Sequence, residues 1–183
     1  FDLFRHRIPW LMLLMVSATF TGMIITSFEE ALALLPALTA FIPMLMDTGG
    51  NCGSQSSVTV IRSLSLDELK FGDIFRVMWK EFRTAILCGA TLAVVCFVKI
   101  LLVDRLLMGN TSINLLVDGV VCLTLGVTVV IAKFVGCSLP LLAKRLGFDP
   151  AVMASPLITT LVDAVSLLLF KQKVPEKYQA AIN

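Results

Sequence analysis

From Pro9 to Phe28 the chain runs PWLMLLMVSATFTGMIITSF, a stretch without one charged side chain. A helix that crosses the hydrocarbon core of a bilayer needs about 20 such largely apolar residues. The pattern recurs. Thr84 to Val103 carries only Lys99, Leu116 to Leu139 only Asp118 and Lys133, and Ala151 to Phe170 only Asp163. A further stretch from Ala31 to Ile61 carries only Asp47. As one straight helix it would extend about 46 Å, too long for a simple crossing. It contains Pro36, Pro43, Gly49, Gly50 and Gly53, which predict a bend or local unwinding near its middle. The expectation is an all-α integral membrane protein with five transmembrane helices, at about 9–28, 31–61 (bent), 84–103, 116–139 and 151–170.

Composition narrows the function classes. Apolar residues make up 57% and charged residues 15%, with mean hydropathy +0.91, whereas soluble domains are nearer half apolar and a quarter charged. That excludes an ordinary soluble enzyme, and also a disordered chain, which would be poor in apolar residues. A net charge of +2 is too weak to point to nucleic acid as a partner. The five cysteines, Cys52, Cys88, Cys96, Cys122 and Cys137, form no C-x-x-C pair, and His6 is the sole histidine. They read as small buried hydrophobes rather than a zinc or disulfide framework. Arg5, His6 and Arg7 precede the first apolar run, but that run is too long for a signal-peptide core and lacks a small-residue cleavage site, so it reads as a retained span.

Between the second and third spans, Ser65 and Glu68 have capping-box spacing for a new helix. Leu69, Phe71, Ile74, Phe75, Met78 and Phe82 then follow helical spacing along one side. Two readings fit: an amphipathic helix lying on the membrane surface, or an extension of the third span into water. Lysine and arginine set the orientation. One side collects Arg5, Arg7, Arg62, Lys70, Arg76, Lys80, Arg83, Lys144 and Arg145; the other has Arg105, Lys171, Lys173 and Lys177, with Lys99 close by. The bias puts the N-terminus in the cytoplasm and, with five spans, the C-terminus outside.

Ionisable groups within a bilayer cost about 2.5–3.5 kcal/mol each on insertion scales and normally face a pathway or a partner. Asp163 sits near the midpoint of the fifth span, with Pro156, Thr159 and Thr160 one to two turns before it. Pro156 frees a backbone carbonyl near Val152. Carboxylate, hydroxyls and carbonyl together make an oxygen-rich wall suited to a hard cation such as Mg2+ or Ca2+. The alternative is a structural ion pair between Asp163 and Lys133. Asp47 opens the run DTGGNCGSQSS, whose positions 47, 50, 54 and 58 share one helical face. That face reads either as exposed backbone near a hydrated ion or as a small-residue packing seam. Asp118, near the start of the fourth span, is expected to reach water. Asp149-Pro150 reads as a helix start, with Asp at the N-cap and Pro at the first helical position.

The segment Pro36–Ser65 contains Pro43, then Gly49-Gly50-Asn51-Cys52-Gly53-Ser54-Gln55, then Arg62. It resembles the second transmembrane helix of the MgtE family of magnesium channels. Phe148 to Asp163, FDPAVMASPLITTLVD, resembles the start of that family's fifth helix. The resemblance implies a homodimer in the cell membrane, with one cation pore at the two-fold interface lined by the second and fifth helices of both chains. It implies that Asp163 holds a mostly hydrated Mg2+ through its water shell, with Gly50 and Thr159 flanking the ion. Asn51, Ser54, Val58, Thr160 and Pro156 would line the pore. Asp47 stands where members often carry a small residue, so it is a candidate second ligand that would admit Mn2+, Ca2+ or other divalent cations. Family members commonly carry a large N-terminal cytoplasmic region with paired CBS domains. The 183 residues contain none of it, so the expectation is a transmembrane channel domain, either excised or a short form gated otherwise.

Three other functions compete. A proton- or sodium-coupled carrier would use Asp163 and Lys133 as a relay. An intramembrane aspartyl protease would pair Asp47 with Asp163, but Asp47 lies in DTGG rather than the G-x-G-D such proteases resemble. A membrane anchor without transport would not need polar stripes on two separate helices.

Overall fold

The computed structural model describes residues 1–27, 29, 33, 36–66, 73–107, 109, 115–147 and 149–173. Phe28, Ala31, Glu68, Leu69, Lys70, Phe71, Phe148 and Lys177 lie outside the described residues, as do the side chains of His6, Arg7, Pro36, Val152 and Pro156. Among the described residues there are five long helices. They are α1 (Asp2–Thr26), α2 (Phe41–Ser65), α3 (Ile74–Lys99), α4 (Leu115–Arg145) and α5 (Pro150–Lys173). A single turn, Pro36–Thr39, precedes α2, and α3 runs on as a π-helix over Ile100–Leu107. Among the described residues there is no strand.

Among the described residues, three helices are long and apolar enough to cross a membrane: Ile8–Thr26, Ile74–Leu107 and Leu115–Arg145. At about 1.5 Å per residue, α2 and α5 also have the length. What α2 lacks is apolar composition, because Asp47–Ser57 is a run of carboxylate, amide, hydroxyl and glycine. Local unwinding, one of the two forms expected near the middle of 31–61, is not seen. Helix α2 runs unbroken through Gly49, Gly50 and Gly53, and the break in the chain comes earlier, at Ala40. Pro43 does not interrupt it, because it is the third residue of α2, where an N–H would have no intrahelical acceptor.

Ser65 does not cap a new helix. It is the last residue of α2, and its hydroxyl donates to the Ile61 carbonyl at 2.9 Å. Among the described residues the next long helix is Ile74–Lys99, with Asp73 at its N-cap position. Residues 74–83 are continuous with the apolar part of α3, so among the described residues the extension into water is the reading that stands. Pro150 opens α5 directly after Asp149, as the sequence predicts.

Helix α4 is the axis of the bundle, with half of its most apolar window buried, and it packs on α2, α3 and α5. Glycines set the close approaches. Gly49 faces Thr128 and Gly53 faces Ala132, so α2 and α4 run parallel. The same glycines face Val162 and Ile158 in reverse order, so α5 runs antiparallel to α2. Gly89 of α3 meets Gly126 of α4. The layers between helices are closed by Leu45, Val121, Leu125, Leu167 and Phe170 at one end and by Val60, Leu64, Cys137 and Leu141 at the other. Helix α1 packs mainly on α5, and no residue of Ile8–Thr26 is buried. Four of the cysteines are buried and Cys88 is half-buried, all as free thiols.

Candidate ion-binding site

One side of α2 is committed to packing. Leu45, Gly49, Cys52, Gly53, Ser56 and Val60 are all buried. The other side is a stripe of Asp47, Asn51, Ser54, Val58 and Arg62, spaced three and four residues apart. All are exposed except Ser54, which is half-buried. The stripe is polar apart from Val58, which is 63% exposed. A glutamate or aspartate can serve a cation only if its position is fixed, and Asp47 is held from within the stripe: Asn51 Nδ2 donates to its Oδ2 at 3.1 Å.

Helix α5 meets this stripe at Gly50. A Cβ placed on Gly50 would lie 3.4 Å from Thr159 Cγ2, in ordinary contact. Asp47 precedes Gly50 by three residues and Asp163 follows Thr159 by four. Because the helices are antiparallel, both carboxylates are displaced in the same direction, by about 4.5 Å and about 6 Å. They therefore come to nearly the same level along the two helices. Among the described residues, neither has a lysine or arginine as an ion-pair partner. Thr159, Thr160 and Asp163 are half-buried, in the seam between the helices and the open stripe. Gly50 itself is buried.

Lys133 does not pair with Asp163. Its ammonium donates to Ser56 Oγ at 3.3 Å, and Ser56 donates in turn to Glu81 Oε2 at 2.8 Å. This buried relay ties α4, α2 and α3 together on the side of α2 away from Asp163. Sequence reasoning passed over Glu81, although it is the one acidic residue between Ile74 and Val103, a signal that it needs a partner. Asp118 does not reach water either. It is fully buried and pairs with Arg105 of the π-helix at 2.5 Å. A cavity of about 520 Å³ opens between α2 and α3 beside the relay, lined by Asn51, Gln55, Cys88, Thr91 and Lys133 among others. It joins the polar stripe at Asn51 but does not include Asp163.

Two carboxylates without a lysine or arginine partner among the described residues, one in the second turn of α2 and one at the middle of α5, with an amide and hydroxyls beside them, form an oxygen-donor surface of the kind that suits hard cations. Apolar helices of spanning length around such a pair define an integral membrane protein of the cation-handling class. The sequence profile of the MgtE family, described as a divalent cation transporter, matches residues 42–171. The chain belongs to the MgtE family. It is 41% identical over 165 residues to the magnesium transporter MgtE of Bacillus subtilis, covering 90% of this chain and 35% of that protein. It is 37% identical over 168 residues to the magnesium transporter MgtE of Thermus thermophilus, covering 92% and 35%. For the Enterococcus faecalis magnesium transporter MgtE the identity is 30% over 164 residues, covering 90% and 34%. The chain thus matches about a third of the length of these relatives.

Proposed function

We propose that this chain is the pore-forming membrane domain of a Mg2+ channel that conducts ions down the membrane potential into the cytoplasm. In this reading all five helices cross the cell membrane, with the N-terminus cytoplasmic and the C-terminus outside. Two chains form a homodimer whose two-fold axis is the pore, lined by α2 and α5 of each. The observation that carries the proposal is the placement of Asp47 and Asp163 at one level beside a polar stripe that its own chain leaves open. A two-fold axis beside that stripe would bring four carboxylates around one path.

The choice of Mg2+ rests on chemistry and on kinship. Among the described residues, no group of three His, Cys, Asp or Glu side chains converges to hold a metal. Mg2+ dehydrates reluctantly and is held through few carboxylates and retained water, which suits so sparse a donor set. The relatives of this segment carry the name magnesium transporter. Asp163 and Asp47 supply field strength, Thr159, Thr160 and Asn51 accept or donate to the water shell, and Ser54 and Val58 line the cytoplasmic stretch of the path. Mn2+ and Ca2+ are secondary substrates of the same wall.

Lys133 supports a channel over a coupled carrier. A relay between Lys133 and Asp163 needs the two to meet, and Lys133 is engaged with Ser56 and Glu81 instead. Recording across planar bilayers tests the distinction. Unitary Mg2+ currents are expected; Mg2+ uptake that persists without unitary current and depends on a proton or sodium gradient would overturn the channel reading.

A further inference from the structure

The N-terminal third of α3 carries a feature that the ion path does not use. Arg76, Lys80, Arg83 and Leu87 follow one another at intervals of four, three and four residues, so they stand on one face of the helix. They line a cavity of about 500 Å³, with Trp79 on its flank. Among the described residues none of the three cations has an ion-pair partner. Trp79 stacks on Phe82 with ring centroids 5.8 Å apart, and Phe75 beside them is 82% exposed. Immediately beyond, Thr84 to Val98 contains no charged residue, and Leu87 and Val94 of this stretch are 70% and 64% exposed.

This order along one helix matches the order of layers in a lipid leaflet. Apolar side chains face the acyl region, aromatic rings favour the boundary, and cations meet the headgroups. The rise from Arg76 to Arg83 is about 10 Å, comparable with the polar layer of one leaflet, roughly 5–8 Å deep. A phosphate bearing two acyl chains fits this lining: its charge meets three cations that have no ion-pair partner among the described residues, and its chains run down the Leu87 face.

We propose that Arg76, Lys80 and Arg83, with Trp79, form a binding site for the headgroup of an anionic phospholipid. The inference rests on α3 crossing the membrane, and not on the identity of the conducted ion. Native mass spectrometry of the purified chain, titrated in detergent with phosphatidylglycerol and separately with phosphatidylcholine, tests it. The wild-type chain is expected to bind phosphatidylglycerol about tenfold more tightly. The triple variant Arg76→Gln, Lys80→Gln, Arg83→Gln loses that preference. A control with Arg5→Gln, Arg145→Gln and Lys173→Gln removes the same formal charge from scattered exposed positions and keeps it. Should the triple variant fold poorly, Lys80→Gln and Arg83→Gln singly give intermediate preferences. A preference retained by the cluster variants overturns the proposal, since phosphatidylglycerol would then be held elsewhere on the chain. Equal loss in the control overturns it too, since bulk charge rather than a site would then be responsible.

Discussion

Gly136 of α4 lies directly against the backbone of Gly53 in α2. A methyl group added there would stand 2.8 Å from the Gly53 carbonyl carbon and 2.9 Å from its Cα, with the carbonyl oxygen nearer still. Non-bonded carbons settle at about 3.5–4.0 Å, so the helices must part by about 1 Å. No rotamer relieves the contact, because both sides are backbone. The separation loosens the seam of Val129, Ala132, Ile158 and Val162 that the two helices share with α5. Such overpacking costs about 1–3 kcal/mol, and the better helix propensity of alanine returns about 1 kcal/mol. Gly136→Ala is therefore expected to lose up to about 2 kcal/mol. Gly50→Ala is the internal control: its methyl would meet only Thr159 Cγ2 at 3.4 Å, a side chain able to give by a few tenths of an ångström. Thermal unfolding in detergent, followed by tryptophan fluorescence, reads the difference. Gly136→Ala should melt lower than Gly50→Ala by about 2–8 °C. Equal melting temperatures, or a lower one for Gly50→Ala, would show that backbone contact between α2 and α4 does not set the spacing of the bundle.

Ser56→Ala removes the hydroxyl that links the Lys133 ammonium to Glu81. It is expected to cost about 1.5–3 kcal/mol, the range for hydrogen bonds to charged groups. The double change Lys133→Met with Glu81→Gln removes both charges of the relay and should cost less; the same thermal assay ranks them, and the reverse order would show that the relay does not hold α4, α2 and α3 together. Asp118→Ala leaves the Arg105 guanidinium without its carboxylate. Because that side chain is 30% exposed, the loss should be about 1–3 kcal/mol, below the range for fully buried pairs. The double change Asp118→Leu with Arg105→Met should recover most of it, as measured by melting temperature.

Four of the long helices were legible as runs of apolar residues, because a bilayer admits few alternatives to a helix of that length. The continuity of α2 was not. Its glycines and prolines signal a break when read alone, but in the bundle the bare backbone at Gly49 and Gly53 is what α4 and α5 pack against. Tertiary contact outweighed local propensity there. The carboxylates of the site were conspicuous, since an aspartate in an apolar run has few bland explanations. Their placement at one level was not, because it depends on α2 and α5 crossing at Gly50 and Thr159, more than a hundred positions apart. The partners of Lys133 and Asp118 were hidden for the same reason: each pairs with a residue on another helix, and a sequence displays only neighbours along its own.

The proposed ion path depends on the two carboxylates of α2 and α5. Mg2+ influx into liposomes holding the purified chain, followed with an entrapped Mg2+-sensitive dye, addresses it most directly. Beside the wild type stand Asp163→Asn, which keeps the shape and removes the charge, and Asp163→Glu, which keeps the charge. Influx by the wild type, its loss in Asp163→Asn by at least about tenfold and partial recovery in Asp163→Glu are predicted. Undiminished influx in a folded Asp163→Asn protein would contradict the account, for the ion would then cross by a path that does not pass this pair.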